Sequence, residues 1–258
     1  MGKQKIENLF KQNKNLLSLY ITAGYPVLDA MPELARTVYE NGVDFIEAGM
    51  PYSDPLADGE TIQKSSEQAL KNGMNLALYF DQVKEIKNNT GLPVIFMGYF
   101  NQVLQYGPRK FLETCQEKGI DALIIPDLPP EIYEKEYQNL FEKYDLAMIF
   151  LVSPTTPADR IKEIDRLSSG FVYVVSTSST TGNKALFGEA QTEYFKRIKK
   201  ELKKNPGIVG FGINNAEKFM MANKFLDGAI IGSAFIKSIS NPVTYLEDAK
   251  NFIKEILK

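Results

Sequence analysis

Short apolar segments recur along the whole chain, separated by longer mixed segments. Eight of them contain four to seven residues each and are rich in Val, Ile, Leu and Phe, a composition typical of buried strands. The eight predicted strands span residues 16–22, 44–48, 93–97, 122–126, 147–152, 171–176, 207–211 and 228–231.

The segments between these runs have apolar residues at helical spacing. In the first of them, Leu34, Ala35 and Val38 fall on one helix face. The predicted helices span residues 31–40, 61–71, 76–87, 110–118, 132–143, 158–167, 192–203 and 216–222. Strands that alternate with helices imply a parallel sheet, and eight such units in 258 residues favour a closed (β/α)8 TIM barrel. The alternative is an open doubly wound sheet, but no G-x-G-x-x-G follows an early strand.

No linker or low-complexity tract divides the chain, so residues 1–258 are predicted to form a single domain. An extra N-terminal helix over residues 6–12 would cover the barrel bottom. A closing helix over residues 241–257 would carry Pro242 in its first turn. The longest irregular segment, residues 177–189, here called loop six, follows the sixth predicted strand. We predict that it is a lid because it leaves the barrel at its catalytic end; the alternative is a disordered loop.

The composition argues against several classes of partner and of catalytic group. A net charge of -2 with Lys and Arg spread along the chain argues against nucleic-acid or anionic membrane partners. The sequence shows neither a membrane span nor a secretion signal, so we expect a cytoplasmic protein. There is no histidine, which removes the usual proton shuttle and the commonest transition-metal ligand, and we predict no metal site. The single cysteine, Cys115, is expected to be packed and structural.

Two carboxylates converge on the end of the second strand. Glu47 lies at the end of that strand, and Asp58 closes the loop that follows it. In a barrel of this kind the carboxyl ends of the strands form the active site. Each acid also has a structural alternative: Glu47 as a buried acid held by backbone donors, and Asp58 as the N-cap of the next helix.

Glycine-rich turns and apolar strand ends suggest the rest of a site. The segments at residues 210–213 and 231–234 follow strands seven and eight and predict a phosphate site; ordinary glycine turns are the alternative. Apolar side chains from different strands could line a pocket for a flat aromatic group, although each could equally be barrel packing. These are Tyr20, Met97, Ile124, Leu151, Tyr173 and Phe211.

The run FIEAGMPYSDPLADG at residues 45–59 closely resembles the signature of the tryptophan synthase α subunit family. Supporting matches are YITAG at 20–24, MGYFN at 97–101, PDLP at 126–129, GFGI at 210–213 and GSA at 232–234. The resemblance extends over nearly the whole chain. It implies a retro-aldol cleavage of indole-3-glycerol phosphate to indole and glyceraldehyde 3-phosphate, without a cofactor.

The resemblance also implies a role for individual residues. Glu47 would be the general acid-base, supported by Tyr173, and Asp58 would face the indole N–H and bond Thr181 on lid closure. The residues implied to hold the phosphate are Gly182, Gly212, Gly232 and Ser233. A rim formed by Asp54, Pro55, Asn101 and Pro129 would dock a PLP-dependent β subunit in an αββα assembly.

One segment departs from the family pattern. The family commonly has S-R-x-G at the start of loop six, where this chain has Ser176-Thr177-Ser178-Ser179. The closing geometry of the lid and its contact with a partner are therefore open. Two other functions compete with the lyase: a non-catalytic activator of a β-type subunit, and another phosphate-binding barrel enzyme of the same pathway. Retention of both Glu47 and Asp58 argues against the first.

Overall fold

Nine parallel strands and thirteen α-helices make up the computed structural model, which describes residues 2–55, 57–176 and 188–258. The strands are β1 (Leu16–Thr22), β2 (Phe45–Gly49), β3 (Val94–Met97), β4 (Ala122–Ile124), β5 (Ala147–Ile149), β6 (Leu151–Val152), β7 (Val172–Val175), β8 (Gly207–Gly210) and β9 (Gly228–Ile231). None of the helices in these ranges is long and apolar enough to cross a membrane.

The helices follow the strands in alternation. They are α1 (Gly2–Gln12), α2 (Ala30–Glu40), α3 (Glu60–Lys71), α4 (Leu76–Asn89), α5 (Phe100–Tyr106), α6 (Pro108–Lys118), α7 (Pro130–Ile132), α8 (Gln138–Lys143), α9 (Ala158–Leu167), α10 (Glu189–Glu201), α11 (Ala216–Asn223), α12 (Ser233–Ser238) and α13 (Tyr245–Ile256). A π-helical turn, Tyr133–Tyr137, joins α7 to α8.

The sheet closes on itself and confirms the predicted barrel. Its strand order is β5-β4-β3-β2-β1-β9-β8-β7-β6, and every pair is parallel. The two terminal strands, β5 and β6, are consecutive in the chain and separated only by Phe150. The predicted fifth strand is therefore interrupted at Phe150, and its two halves join the ends of the sheet into a (β/α)8 ring.

Two apolar clusters hold the barrel together. The larger lies between the sheet and the outer helices. The smaller, here called the interior cluster, fills the inside of the barrel and consists of Ile6, Leu16, Phe45, Ile95, Ala122, Ile124, Ala147, Ile149, Phe171, Tyr173, Ile208 and Ile230. Helix α1 covers the bottom as predicted, because Ile6 belongs to this cluster and the Phe10 ring packs 5.6 Å from that of Phe171.

Several predicted helix boundaries were wrong. Helix α13 begins at Tyr245, and Pro242 precedes it, because the Asn241 side chain accepts a hydrogen bond from the Val243 N–H and forms a turn there. Helix α10 ends at Glu201 because the buried carboxylate of Asp165 accepts the N–H groups of residues 203 and 204. The pattern also missed α5, a seven-residue helix that ends at Tyr106 and is followed by Gly107 at its C-cap.

Candidate active site

Glu47 points into the barrel near the carboxyl end of β2. Side chains alternate along a strand, and Phe45, two residues earlier, belongs to the interior cluster. Glu47 faces the same way and is only 2 % exposed. Its register partner on β1 is Tyr20, so the two side chains are neighbours across the sheet.

Two tyrosines flank this carboxyl group, and each lies over a glycine of the next strand. A Cβ at Gly49 would stand 2.0 Å from the Tyr20 hydroxyl, and one at Gly210 would stand 1.9 Å from the Tyr173 hydroxyl. Neither glycine could therefore carry a side chain without displacing a ring. Burial, followed by the charges of Glu47 and Asp58, raises the pKa of both tyrosines well above the ordinary value, so both hydroxyls remain protonated.

The environment of Glu47 favours its neutral form. Burial, reinforced by the nearby charge of Asp58, raises the pKa of Glu47 to about 8. Its Oε1 atom has no hydrogen-bond partner in the part of the chain that the structure describes. Backbone donors do not hold this oxygen, so the structural alternative for Glu47 is not supported there. At neutral pH the carboxyl group is protonated and can donate to a ligand.

Asp58 does not cap the following helix, contrary to the structural alternative. The N-cap of α3 is Gly59, and its cap position has no side-chain hydrogen bond. Instead the Tyr99 hydroxyl donates to Oδ2 of Asp58 at 3.1 Å and accepts the Ala57 N–H at 3.0 Å. Burial raises the pKa of Asp58 to about 6, while the Tyr99 hydrogen bond acts in the opposite direction. Asp58 is therefore mostly ionised at neutral pH.

Both acids lie on the wall of one cavity of about 290 Å³ at the carboxyl end of the barrel. Most of the predicted site residues that the structure describes are on this wall: Tyr20, Glu47, Asp58, Met97, Leu151, Tyr173, Phe211, Gly212, Gly232 and Ser233. Ile124 is fully buried in the interior cluster and is not among the wall residues. Thr181, Gly182 and residues 177–187 of the predicted lid over 177–189 lie outside the described residues.

The glycine turn after β8 has an unusual backbone. Phe211 and Gly212 have φ angles of 68° and 76°, a region that a bulky residue rarely adopts. The Ser176 hydroxyl donates to the Phe211 carbonyl at 2.5 Å and holds this conformation. The Phe211 ring remains 41% exposed and meets the Tyr173 ring edge-on at 6.3 Å. The turn therefore presents an aromatic ring at the cavity mouth.

The predicted partner rim is exposed and connected to the cavity. Asp54, Asn101 and Pro129 are exposed, and Pro55 is half-buried. The Asn101 side chain donates to the Tyr52 hydroxyl at 3.0 Å. The Tyr52 ring stacks on that of Tyr99, with centroids 5.0 Å apart, and so links the rim to the tyrosine that bonds Asp58.

Sequence reasoning did not nominate three residues that shape the site. Tyr99 positions Asp58, Ser176 fixes the Phe211 turn, and Lys237 lies on the cavity wall. Tyr99 lies inside the MGYFN match to the family, so the sequence did contain a signal for it. Ser176 begins the segment compared with the family's S-R-x-G pattern, but nothing local indicates its bond to Phe211. Lys237 has no local signal, because its place on the wall depends on how separate segments pack.

Comparisons with known proteins agree on one family. The family model described as tryptophan synthase alpha chain matches residues 6–257. The tryptophan synthase alpha chain of Flavobacterium psychrophilum is 49% identical over 252 residues, covering 98% of this chain and 99% of the relative. That of Christiangramia forsetii is 50% identical over 252 residues and covers 98% of each chain.

Solved structures give the same result. The tryptophan synthase A-subunit of the hyperthermophile Pyrococcus furiosus superposes with a TM-score of 0.88 at 33% identity, covering 95% of this chain and 98% of that one. A chain of the tryptophan synthase complex from the same organism superposes with a TM-score of 0.87 at 32% identity, with the same coverage. With its closed barrel and a match over nearly its full length, the chain belongs to the tryptophan synthase alpha chain family, a family of lyases of tryptophan biosynthesis.

Proposed function

We propose that this chain cleaves indole-3-glycerol phosphate by a retro-aldol reaction in which Glu47 moves the protons. The observation that carries the proposal is the pair of carboxyl groups on one largely apolar cavity, with the pKa of Glu47 at about 8 and that of Asp58 at about 6. At neutral pH one group is an acid and the other an anion. Two carboxyl groups whose environments separate their pKa values can take opposite roles in acid–base chemistry.

In the first step, neutral Glu47 donates its proton to C3 of the indole ring. The ring nitrogen then carries positive charge, which the carboxylate of Asp58 stabilises. Preorganised charge of this kind is commonly the largest contribution to catalysis. The hydrogen bond from Tyr99 holds Asp58 in place before substrate binds.

In the second step, the Glu47 carboxylate removes the proton from the hydroxyl group on the carbon attached to C3. The electrons of that O–H bond form the aldehyde of glyceraldehyde 3-phosphate while the carbon–carbon bond breaks. Its electron pair returns to the ring, which leaves as neutral indole. Glu47 is protonated again, so the cycle needs neither an external acid nor a cofactor.

The remaining wall residues suit the two ends of this substrate. Tyr20, Met97, Leu151, Tyr173 and Phe211 offer apolar surface for the indole ring. Gly212, Gly232 and Ser233 offer backbone N–H groups and a hydroxyl for the phosphate, with Gly182 as a further donor proposed from the resemblance. Contacts of Thr181 and Ile124 with substrate stay predictions.

We further propose that the rim at Asp54, Pro55, Asn101 and Pro129 docks a PLP-dependent β subunit in an αββα assembly. Support comes from the family and from the solved tryptophan synthase complex that this fold resembles. The exposed rim and its link through Tyr52 and Tyr99 to Asp58 fit a surface that influences the site. Residues 1–258 are proposed to act as one domain, and the cytoplasmic location stays a prediction.

The direct test is incubation of the purified chain with indole-3-glycerol phosphate, with indole and glyceraldehyde 3-phosphate measured separately. The two products should appear in equal amounts. Asp58→Asn keeps the shape of the side chain but removes its charge, so it should lower the rate about a hundredfold or more, as loss of a preorganised electrostatic group does. Turnover by Asp58→Asn at the unsubstituted rate would overturn the role of Asp58, and absence of both products from the unsubstituted chain would overturn the reaction.

A further inference from the structure

The charge of the cavity does not match the proposed substrate. Its wall carries two carboxyl groups, Glu47 and Asp58, and the substrate brings a phosphate with a charge of about -1.5 to -2 at neutral pH. Among the wall residues that the structure describes, Lys237 is the only basic one. A phosphate dianion that enters beside an ionised Asp58 therefore needs a cation, and one candidate is available.

Helix geometry directs Lys237 toward the proposed phosphate position. Ser233 and Lys237 are four residues apart on α12, so they share one helix face. Side chains on a helix lean toward its N-terminus. The Lys237 side chain consequently leans along the turn that begins at Gly232 and Ser233, and all three residues lie on the cavity wall.

The Lys237 ammonium has no strong partner elsewhere. In the described ranges it forms no ion pair or side-chain hydrogen bond, whereas Lys64 on the neighbouring helix α3 is 2.6 Å from Glu60. The pKa of Glu60 is lowered mainly by Lys64 and least by Lys237, so Lys237 interacts only weakly with this carboxylate. An exposed, unpaired ammonium is available to bind an arriving anion.

The backbone alone supplies little positive charge at this position. Helix α12 has six residues, so few aligned peptide dipoles contribute at its start. Glycine N–H groups can orient a phosphate, but they do not neutralise it. We propose that Lys237 is a phosphate-binding residue of this enzyme and pairs with the substrate dianion above Ser233; the inference rests on the proposed function.

The alternative location for this side chain is an outer groove of about 710 Å³ between α3 and α12. Lys237 lines that groove as well as the cavity, together with Tyr25, Lys64 and Ser240. A lysine that served only this outer surface would affect neither phosphate recognition nor the dependence of catalysis on salt. The binding of ligands with and without a phosphate group therefore distinguishes the two locations.

The test compares Lys237→Gln with the matched control Lys64→Gln, which removes a charge from the outer groove but not from the cavity wall. The Lys237–phosphate contact should be worth about five- to tenfold in binding, more than a fully exposed ion pair and less than a buried hydrogen bond between charged groups. Lys237→Gln should therefore raise KM for indole-3-glycerol phosphate by about this factor with a smaller change in kcat. It should also flatten the fall of kcat/KM with salt, and Lys237→Arg should restore most of the loss. Lys64→Gln should leave these quantities unchanged.

Substrate analogues that cannot be cleaved test phosphate binding by Lys237 independently of catalysis. Calorimetry should show that 3-indolepropyl phosphate binds Lys237→Gln about five- to tenfold more weakly than the unsubstituted chain, whereas 3-indolepropanol binds both equally. Equal affinity of the two proteins for the phosphate, or equal losses for both analogues, would overturn the role of Lys237. Absence of turnover in the unsubstituted chain would overturn the proposed reaction and leave the binding comparison intact.

Discussion

Burial of the neutral Glu47 side chain lowers the stability of the fold. Its carboxyl group is 2 % exposed, and Oε1 lacks a hydrogen-bond partner among the described residues. A buried polar atom without a partner lowers stability by about 1–3 kcal/mol. In the proposed reaction the substrate supplies both a proton acceptor and a proton donor at this position. That reaction would account for the unsatisfied oxygen, because the bound substrate would be its partner.

Replacement of Glu47 by Gln should lower activity but raise stability at high pH. Glu47→Gln keeps the shape but cannot transfer a proton, so indole release should fall by about 10²- to 10⁴-fold. Because the folded pKa of about 8 exceeds the unfolded value of 4.5, the folded state binds more protons between these pH values, and stability falls as pH rises through this window. Gln does not ionise, so the variant should gain stability relative to the unsubstituted chain by a few kcal/mol near pH 9.

Denaturant unfolding at pH 5 and pH 9 measures this difference, and Glu255→Gln on the exposed face of α13 serves as the control. The advantage of Glu47→Gln should be large at pH 9 and small at pH 5, and Glu255→Gln should show no such change. A constant difference across the range would mean that Glu47 is ionised in the folded protein. Retention of most of the turnover by Glu47→Gln would exclude its proton-transfer role.

The two carboxyl groups should also determine the pH profile. The proposed reaction uses protonated Glu47 and ionised Asp58 in the free enzyme, so kcat/KM should rise near pH 6 and fall near pH 8. Tyr99→Phe removes the hydrogen bond that favours ionised Asp58, and the acid limb should move to higher pH. Tyr106→Phe, whose hydroxyl interacts with Thr114, is the control and should leave both limbs in place. An unmoved acid limb in Tyr99→Phe would assign that limb to another group.

The sequence located the two acids because their signal is local. A glutamate near the end of an apolar strand and an aspartate at the end of the next loop are visible without any contact information. The N-cap interpretation of Asp58 failed because Gly59 takes that position and Tyr99, 41 residues away, binds the carboxylate. Lys237 and Ser176 were missed for the same reason: only the folded chain shows which side chains they approach.

At the scale of elements, apolar periodicity predicted the eight strand regions but not every boundary. The interruption at Phe150 lies within one continuous apolar run, and only the closure of the sheet divides it into β5 and β6. The end of α10 depends on Asp165, which is on α9. Such boundaries are decided by long-range hydrogen bonds that compete with helix propensity, so local pattern could not supply them.

The glycine beneath Tyr173 offers a test of how adjacent strands position the site. Gly210→Ala would place a methyl group 1.9 Å from the Tyr173 hydroxyl, so the ring must move. We expect a loss of about 1–3 kcal/mol in the free energy of unfolding and a clear fall in kcat/KM. Gly91→Ala, where the nearest atom would be 3.5 Å away, is the matched control and should change neither quantity much.

A double-mutant cycle tests whether the Tyr173 ring causes the loss of stability in Gly210→Ala. Tyr173→Leu shortens the obstructing side chain, so the cost of Gly210→Ala should become smaller in that background by at least about 0.5 kcal/mol, the scale of coupling between residues in contact. Thermal or denaturant unfolding of the four proteins gives the coupling energy. Strict additivity of the two substitutions would show that Gly210 is required for a reason other than the Tyr173 ring.

At the scale of the whole molecule, two loops connect the rim of the barrel to the candidate catalytic cavity: loop two, residues 50–59 after β2, and loop three, residues 98–99 after β3. The Gln102 side chain donates to the Pro51 carbonyl at 3.1 Å and accepts the Tyr99 N–H at 3.0 Å, so the two loops are joined near Asp58. Together with the bond between Asn101 and Tyr52, these hydrogen bonds form a continuous path from the rim to Asp58, through which we expect a bound partner to affect the position of Asp58. Small displacements of a catalytic group can lower a rate about a hundredfold.

This connection gives a prediction for the β subunit. Asp54 is exposed on loop two and accepts a hydrogen bond from the Ser53 hydroxyl at 2.6 Å, but it is not on the cavity wall. Asp54→Ala should therefore leave the basal rate of the isolated chain within about twofold, because surface changes away from a site usually have small effects. It should reduce the increase in indole release on addition of the β subunit much more strongly. Asp159→Ala, on the outer helix α9, is the control and should be activated normally.

Gel filtration of the mixed subunits and titration of indole release with the β subunit measure docking and activation separately. If docking orders loop two around Asp58, the unsubstituted chain should co-elute with the β subunit and show a higher rate, whereas Asp54→Ala should need more β subunit to reach half of its maximal rate. Equal activation of Asp54→Ala and the unsubstituted chain would remove Asp54 from the interface. A β subunit that neither co-elutes with the chain nor raises its rate would make the enzyme a free-standing lyase, with the link from Asn101 to Asp58 serving only to hold the two loops together.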